Sequence, residues 1–123
     1  VRPRMKTLAF AFLGLAGCVS SPDPPVPVPS GEYAFTHRFA EHPSMQSIRL
    51  TVRINGAHVV VVNPTESDVF PAGVLDEGTL MWHPASGQWI IGTEEADRSL
   101  RDVGGCSGGP EVIDLQNRVY WTC

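Results

Sequence analysis

The sequence has no acidic residue before Asp23 and no apolar run long enough to span a bilayer. Three basic residues at the start, the last of them Lys6, precede a short apolar run that ends in small residues. A positively charged N-terminal region, a short apolar run and small residues after it are the parts of a secretory signal peptide. We therefore predict a signal peptide over residues 1–17, starting at either Val1 or Met5.

Basic residues are scarce beyond this leader. Three of the nine lie within it, so residues 18–123 carry six basic and 13 acidic residues, a net charge of −7. Binding to nucleic acid needs a basic patch on the surface, and electrostatic binding to anionic lipid also needs positive charge. The charge therefore argues against a nucleic-acid partner and against electrostatic binding to a membrane.

A cysteine follows the leader, in Leu15-Ala16-Gly17-Cys18. This string resembles the lipobox of bacterial lipoproteins, in which the peptide before the cysteine is removed and the thiol is acylated. The resemblance implies a mature chain that begins at Cys18, with fatty acids such as palmitate holding it on a membrane. Val19, rather than an aspartate, comes next, which in enterobacterial lipoproteins implies transfer to the outer membrane. The alternative, a buried helix ending in cysteine, is disfavoured by the proline-rich stretch that follows.

Residues 18–30 are predicted to be a tether between the lipid and the folded domain. Five of the eight residues 22–29 are proline, a composition that favours polyproline II. At about 3.1 Å per residue, such a segment holds a domain up to roughly 37 Å from the lipid. The alternative is that the prolines form a ligand for a partner's recognition domain.

The chain has only three cysteines. With Cys18 assigned to lipid, Cys106 and Cys123 remain as one pair, in an oxidising compartment where a disulfide persists. In the chain-entropy model such a bond stabilises the fold by roughly 3 kcal/mol. The alternative, a metal-binding thiol pair, lacks further ligands at short spacing.

Residues 31–123 are predicted to form one mainly β domain. Apolar and polar residues alternate over 33–39 and 48–54, which is typical of half-buried strands. Asn55-Gly56 predicts a two-residue type I′ turn into the β-branched run 59–62.

Two more hairpins are predicted further along the chain. The first joins 78–83 to 88–93 through a four-residue turn, and the second joins 111–115 to 118–123. Between them, Thr93 is predicted to cap a short helix. Six or seven antiparallel strands in a meander would then close into a small barrel or fold as a sandwich.

The segment 105–110, GCSGGP, resembles the GDSGGP signature of chymotrypsin-like serine proteases and the nucleophile elbow of α/β hydrolases. Too few residues follow Ser107 to form the barrel that the protease family needs. Pro110 and a strand come next, whereas the elbow requires a helix. We therefore predict a glycine-rich loop that lets the disulfide form, no catalytic residue and no enzymatic activity.

No compact set of metal ligands is visible in the sequence. His37 and His42 are five positions apart with Glu41 beside the second, but no histidine pair has helical spacing. We therefore predict no metal and no cofactor. Asp76-Glu77 is predicted to be a solvated pair on a loop rather than an acid/base pair.

The three tryptophans, Trp82, Trp89 and Trp121, are predicted to lie in the core or at the barrel rim, where aromatic residues can also line a ligand pocket. The chain is similar to small, uncharacterised lipoproteins of Gram-negative envelopes, which implies no particular activity. Together these features predict a lipid-anchored binding or structural module that meets a protein or glycan partner in the periplasm. The alternative is a carrier that holds a small apolar ligand in the interior or mouth of the barrel.

Overall fold

A computed structural model describes residues 23–123, so the predicted signal peptide and Cys18 lie outside the described residues. Seven strands form one sheet that is nearly closed into a barrel, which confirms the predicted mainly β fold. The strands are β1 (Gly31–Phe39), β2 (Arg49–Asn55), β3 (His58–Asn63), β4 (Gly73–His83), β5 (Gln88–Gly92), β6 (Ile113–Asp114) and β7 (Val119–Thr122).

The sheet has the strand order β5-β4-β3-β2-β1-β7-β6. Strands β1 to β5 form an antiparallel meander, as predicted, whereas β1 and β7 run parallel. The two ends of the sheet approach each other at a bridge between Ile90 and Val112. Beside it, the Ile91 amide donates a hydrogen bond of 3.0 Å to the Glu111 carbonyl. The segment before β6 therefore nearly closes the barrel.

Alternating residues of the strands fill the barrel interior. On β2, Leu50, Val52 and Ile54 are buried while Arg49 and Arg53 are exposed, which confirms the predicted alternation. Side chains that fill the interior of a small barrel leave a packed core rather than a channel. The buried core residues are Phe35, Leu50, Val52, Ile54, Val59, Val61, Leu80, Trp89, Ile91, Ile113, Leu115 and Tyr120.

A second, smaller apolar cluster involves the other faces of β4 and β5. Met81, Ile90 and Val112 are buried there, and Trp121 packs against them. Four consecutive residues of β5, from Trp89 onward, are buried as a result. This end of the hairpin is therefore covered on both faces, which a strict alternation of apolar and polar residues does not predict.

The turn between β2 and β3 differs by one residue from the predicted turn. Asn55 pairs with His58, so the two turn residues are Gly56 and Ala57. Gly56 has a φ of 60° and Ala57 does not have a positive φ. A glycine at the first central position is typical of a type II′ turn, which suits the twist of a hairpin as well as the predicted type I′ does.

The helix predicted after Thr93 is reduced to a 3-10 turn, Glu95–Ser99. Ala96 is exposed and Leu100 is 38% exposed, so neither faces the core, and the N-cap residue is Glu94 rather than the predicted Thr93. Asp97 is the residue buried instead, and its carboxylate accepts hydrogen bonds from the backbone amides that precede the turn. Within residues 23–123, no helix is both long and apolar enough to cross a membrane.

Cys106 and Cys123 lie at disulfide distance, with their Cα atoms 4.6 Å apart. The pair joins the glycine-rich loop before β6 to the residue that follows β7. The loop is thereby fastened to the strand that lies beside β1.

The N-terminal segment, residues 23–30, lies against the barrel. Val26 and Val28 pack against the core, and the Asp23 carboxylate forms an ion pair with Arg98. The Ser30 hydroxyl oxygen accepts a hydrogen bond of 2.8 Å from the backbone of the β2–β3 turn. From Asp23 onward, the segment predicted as an extended tether is therefore part of the folded unit.

Candidate functional site

A groove of about 270 Å³ runs along one side of the barrel, between the β4–β5 hairpin and the β6–β7 turn. Two hairpins of the sheet supply most of its walls, and the N-terminal segment contributes one residue. We call it the tryptophan groove. Its lining residues are Pro27, Trp82, Gly87, Gln88, Trp89, Val112, Ile113, Asp114, Leu115, Gln116 and Asn117.

Two tryptophan side chains form the apolar part of the groove. Trp82 and Trp89 are directly paired across β4 and β5, with ring centroids 5.5 Å apart and planes inclined by 70°. Trp89 is 9% exposed and packs into the core, whereas Trp82 is half-buried. The predicted place of these rings, at the core and rim of the barrel, is therefore confirmed. Trp121 instead packs in the second apolar cluster, away from the groove.

The hairpin turn fixes the relative position of the two tryptophans. The Gly87 amide donates a hydrogen bond of 2.9 Å to the His83 carbonyl, and Gly87 has a φ of 67°. Glycine adopts this left-handed conformation without steric cost. The four-residue turn therefore brings the strands into the register that places the two rings together.

Polar residues lie at the rim of the groove. Gln88, Gln116 and Asn117 are exposed, and the amide groups of Gln88 and Gln116 form no side-chain hydrogen bond to the described residues. Asp114 holds the turn, accepting hydrogen bonds of 3.1 and 2.9 Å from the Gln116 and Asn117 amides. No basic side chain lines the groove in the described part of the chain. Exposed amide side chains and one carboxylate therefore border the groove that the two tryptophans line.

The N-terminal segment completes the groove. Pro27 lines one wall, and upstream of it Asp23 accepts a hydrogen bond of 3.4 Å from the Trp82 amide. Arg98 donates a hydrogen bond to Asp23 and another, of 2.6 Å, to Glu95. The bond from Arg98 lowers the pKa of Asp23 below its usual range, against the opposing effect of burial. A charged contact thus holds the segment beside Trp82.

A second candidate site is a cluster of three acidic groups inside one end of the barrel, which we call the carboxylate cluster. It consists of Asp76 on β4, Tyr120 on β7 and Glu111 in the segment that nearly closes the sheet. The Tyr120 hydroxyl donates a hydrogen bond of 2.9 Å to Asp76 Oδ2. Glu111 Oε2 is buried and has no hydrogen-bond partner among the described residues. A shallow cavity of about 420 Å³ opens beside Asp76 and Glu111.

Burial controls the protonation of this cluster. Burial, with a smaller contribution from the charge of Asp76, raises the pKa of Glu111 to about 7. Burial also raises the pKa of Asp76, partly offset by the hydrogen bond from Tyr120. The pKa of Tyr120 rises as well, because of burial and then the charge of Asp76. Glu111 is therefore the group of this cluster that changes charge near neutral pH.

The position of Asp76 corrects the predicted solvated loop pair. Asp76 and Glu77 lie within β4, where consecutive side chains point to opposite faces. Asp76 is paired with the fully buried Val61, so it faces the interior. Glu77 faces outward, where its carboxylate lies 3.0 Å from His58 Nε2. The two carboxylates therefore do not share one site.

The chain matches no protein-family model, no curated protein and no solved structure.

The tryptophan groove and the carboxylate cluster differ in how well the sequence predicts them. The tryptophans were identified as residues that could line a pocket, whereas Asp76 was placed on a loop and Glu111 was not singled out. The period-2 pattern of Leu80 and Trp82, continued backward along the chain, is the signal that places Asp76 on the inner face.

Two histidines are buried, and each has hydroxyl partners. His37 contacts the Ser47 hydroxyl, and its Nε2 lies 2.7 Å from the Thr122 hydroxyl. Burial lowers the pKa of His37. His83 Nε2 donates a hydrogen bond of 2.6 Å to the Leu100 carbonyl, and its Nδ1 lies 2.6 Å from the Ser86 hydroxyl oxygen.

These hydrogen bonds place the histidines in structural roles inside the barrel and at the β4–β5 turn. His37 and His42 flank the end of β1, and only His37 is buried. Across residues 23–123, no group of three or more His, Cys, Asp or Glu side chains is arranged to hold a metal ion.

The residue singled out by the protease-like string lies in a loop. The Ser107 hydroxyl donates a hydrogen bond of 2.7 Å to the Gly104 carbonyl and accepts one of 3.2 Å from the Gly109 amide. Both partners belong to the same loop, and Gly104 has a φ of 66°. Activation of a serine nucleophile requires a base that accepts its proton, usually a histidine. In this loop the serine proton is directed to the Gly104 carbonyl oxygen instead.

Proposed function

We propose that this protein is a lipid-anchored binding module of the cell envelope and that the tryptophan groove is its binding surface. The groove carries this proposal, because it combines the partly exposed ring of Trp82 with exposed amide side chains. Ligand sites are typically concave and largely apolar, with a few well-placed polar groups. The groove has this composition.

The anchor in this proposal is the lipid on Cys18, and the location is the outer membrane, facing the periplasm. If Cys18 carries the lipid, only four residues separate it from Asp23, which is fastened to the barrel. Five extended steps cover no more than about 18 Å. The barrel then lies close to the membrane surface rather than at the end of a long spacer, and Pro27, which lines the groove, is four residues beyond Asp23.

The carrier alternative has less support. An apolar ligand inside the barrel would need space that the buried side chains occupy, since Val52, Val59 and Val61 are fully buried in the interior. The groove lies at the surface and has exposed polar residues at its rim, which suits a partner with both polar and apolar groups better than a lipid-like one. We therefore propose a partner that binds from outside.

Site-specific crosslinking tests this function. The full chain, expressed in cells, carries a photo-crosslinking amino acid at Gln116 in the groove or, as the matched control, at the exposed Gln46 on the β1–β2 connection. We expect a discrete adduct from position 116 and none from position 46. Adducts that are absent at 116, or equal at both positions, would contradict the proposal.

The anchor is tested by fractionation. We expect wild type in the membrane fraction with labelled palmitate incorporated, and Cys18→Ala in neither state. A Cys18→Ala variant that stays in the membrane and takes up palmitate as wild type does would contradict lipidation at this residue.

A further inference from the structure

We propose that the ligand of the tryptophan groove is an uncharged glycan, held by stacking on Trp82 and by hydrogen bonds to the amide of Gln116. This inference rests on the proposed function and names the chemical class of the partner. Three features of the groove lead to it: the aromatic surface, the amide rim and the absence of basic residues from its lining.

The aromatic surface suits a sugar ring. The π face of an indole carries partial negative charge, and one face of a pyranose presents a row of weakly positive C–H groups. Trp82 is half-buried and stands at an angle to Trp89, so its position is fixed by packing while part of the ring faces solvent. A ring held in this way loses little conformational entropy when a ligand stacks on it.

The polar rim suits hydroxyl groups. A side-chain amide offers both donors and an acceptor, and a sugar hydroxyl is likewise both donor and acceptor. Gln116 is exposed at the β6–β7 turn that borders the groove, and its side-chain amide forms no hydrogen bond within the described structure. This amide is therefore available to a ligand.

The charge of the groove selects against anionic ligands. Asp114 is the only charged residue of the lining, and no basic side chain of the described chain lines the groove. The nearby Arg98 is engaged by Asp23 and Glu95. A phosphate or carboxylate would therefore meet negative charge without a compensating cation.

An extended peptide is the competing occupant. A peptide that adds to a sheet needs an edge strand with unpaired backbone groups. The edge of β5 is occupied at Ile90 and Ile91, through the bridge to Val112 and the bond to the Glu111 carbonyl, whereas no backbone hydrogen bond among the described residues covers Trp89 on that edge. A protein adduct at Gln116 without binding of a neutral glycan would therefore favour a peptide. The groove volume of about 270 Å³ lies just below the roughly 300–1,000 Å³ of common ligand pockets. It therefore fits a short stretch of a glycan chain.

Calorimetric titration of the full chain in detergent tests the inference. The probes are the neutral oligosaccharides cellotetraose, maltotetraose and chitotetraose, a soluble muropeptide, and dextran sulfate as the anionic comparison. We expect saturable binding of at least one neutral probe and none of dextran sulfate. A response to the muropeptide but to no neutral oligosaccharide would overturn the inference, because the muropeptide carries a peptide with charged carboxylates.

Variants assign the binding to the groove. We expect Gln116→Ala to weaken binding by about three- to tenfold, the usual effect of losing one hydrogen bond, while the matched Gln46→Ala leaves affinity unchanged. Trp82→Ala is expected to abolish binding and Trp82→Phe, which keeps an aromatic ring, to restore part of it. Circular dichroism identifies any variant that fails to fold, and Gln116→Ala, at an exposed position, provides the test in that case.

The outcomes separate this inference from the proposed function. If no neutral probe binds while the crosslinker at Gln116 traps a protein, the glycan inference is wrong and the binding module stands. If no probe binds and no adduct forms, both are wrong. Equal loss of affinity in Gln116→Ala and Gln46→Ala would also overturn the assignment of the groove.

Discussion

Replacing Glu111 with glutamine should stabilise the protein at neutral and alkaline pH. The Glu111 carboxyl is partly buried beside Asp76, and one of its oxygen atoms has no hydrogen-bond partner among residues 23–123. The folded state therefore favours the protonated form, and its pKa rises from the reference value of 4.5 to about 7. Glutamine keeps the shape of the protonated acid and does not ionise.

The sign and size of the effect follow from proton linkage. Because the pKa of the folded state is the higher one, the folded protein holds a proton between pH 4.5 and about 7 that the unfolded chain has lost, so stability falls as pH rises through this window. The full difference of about 2.5 pH units corresponds to about 3.4 kcal/mol. Solvent screening at a partly exposed group reduces this, and we expect about 1–2 kcal/mol.

Urea denaturation at pH 4.5, 6 and 8 measures this prediction. We expect the free energy of unfolding of Glu111→Gln to equal that of wild type at pH 4.5 and to exceed it by about 1–2 kcal/mol at pH 8. Glu66→Gln, on an exposed loop, is the matched control and should change neither value. A difference between Glu111→Gln and wild type that does not vary with pH would refute the reasoning.

Three other predictions concern the loop and the N-terminal segment. Cys106→Ser should lower the free energy of unfolding by about 2–5 kcal/mol, since it removes the link to Cys123. The intact mass of the wild-type protein should be two protons below that of the reduced chain, and two free thiols in wild-type protein from an oxidising compartment would contradict the bond. Asp23→Asn should lower the free energy of unfolding by about 1 kcal/mol and speed hydrogen exchange of the Trp82 amide, because the contact with Arg98 is weakened. An unchanged exchange rate would contradict the attachment of residues 23–30 to the barrel. Ser107 should form no adduct with a fluorophosphonate probe, whereas stoichiometric labelling lost on heating would assign the protein to the hydrolases.

Local patterns in the sequence were sufficient to predict most strands and their first neighbours. The alternation over β1 and β2 and the turn residues around Gly56 and Gly87 act over a few positions, so they can be recognised without tertiary information. The two tryptophans of the β4–β5 hairpin were placed at the core and rim for the same reason. What these patterns lack is any information about pairs of segments that are distant in the sequence.

The features that the sequence did not predict depend on distant contacts. Asp76 lies inside because β4 pairs with β3, at a point where the register skips Leu75. Glu111 is buried because its segment nearly closes the sheet. The N-terminal segment is held by Arg98, on a turn about 75 residues later in the chain. For Glu111 and for the N-terminal segment, the partner is set by the fold and not by neighbouring residues, so propensity and periodicity carry no signal for it. For Asp76, periodicity indicates the face of the strand but not the strand with which it pairs.

The parallel pairing of β1 with β7 has a consequence for when the barrel forms. Thr36 lies opposite Val119, so the two strands meet only after more than 80 intervening residues have been made. Closing so large a loop has a high entropic cost, and contacts of this kind form late in folding. Until β7 arrives, β1 presents an open edge and the sheet is a twisted meander. The chain is thus prevented by its own topology from completing the barrel before its last strand has been made.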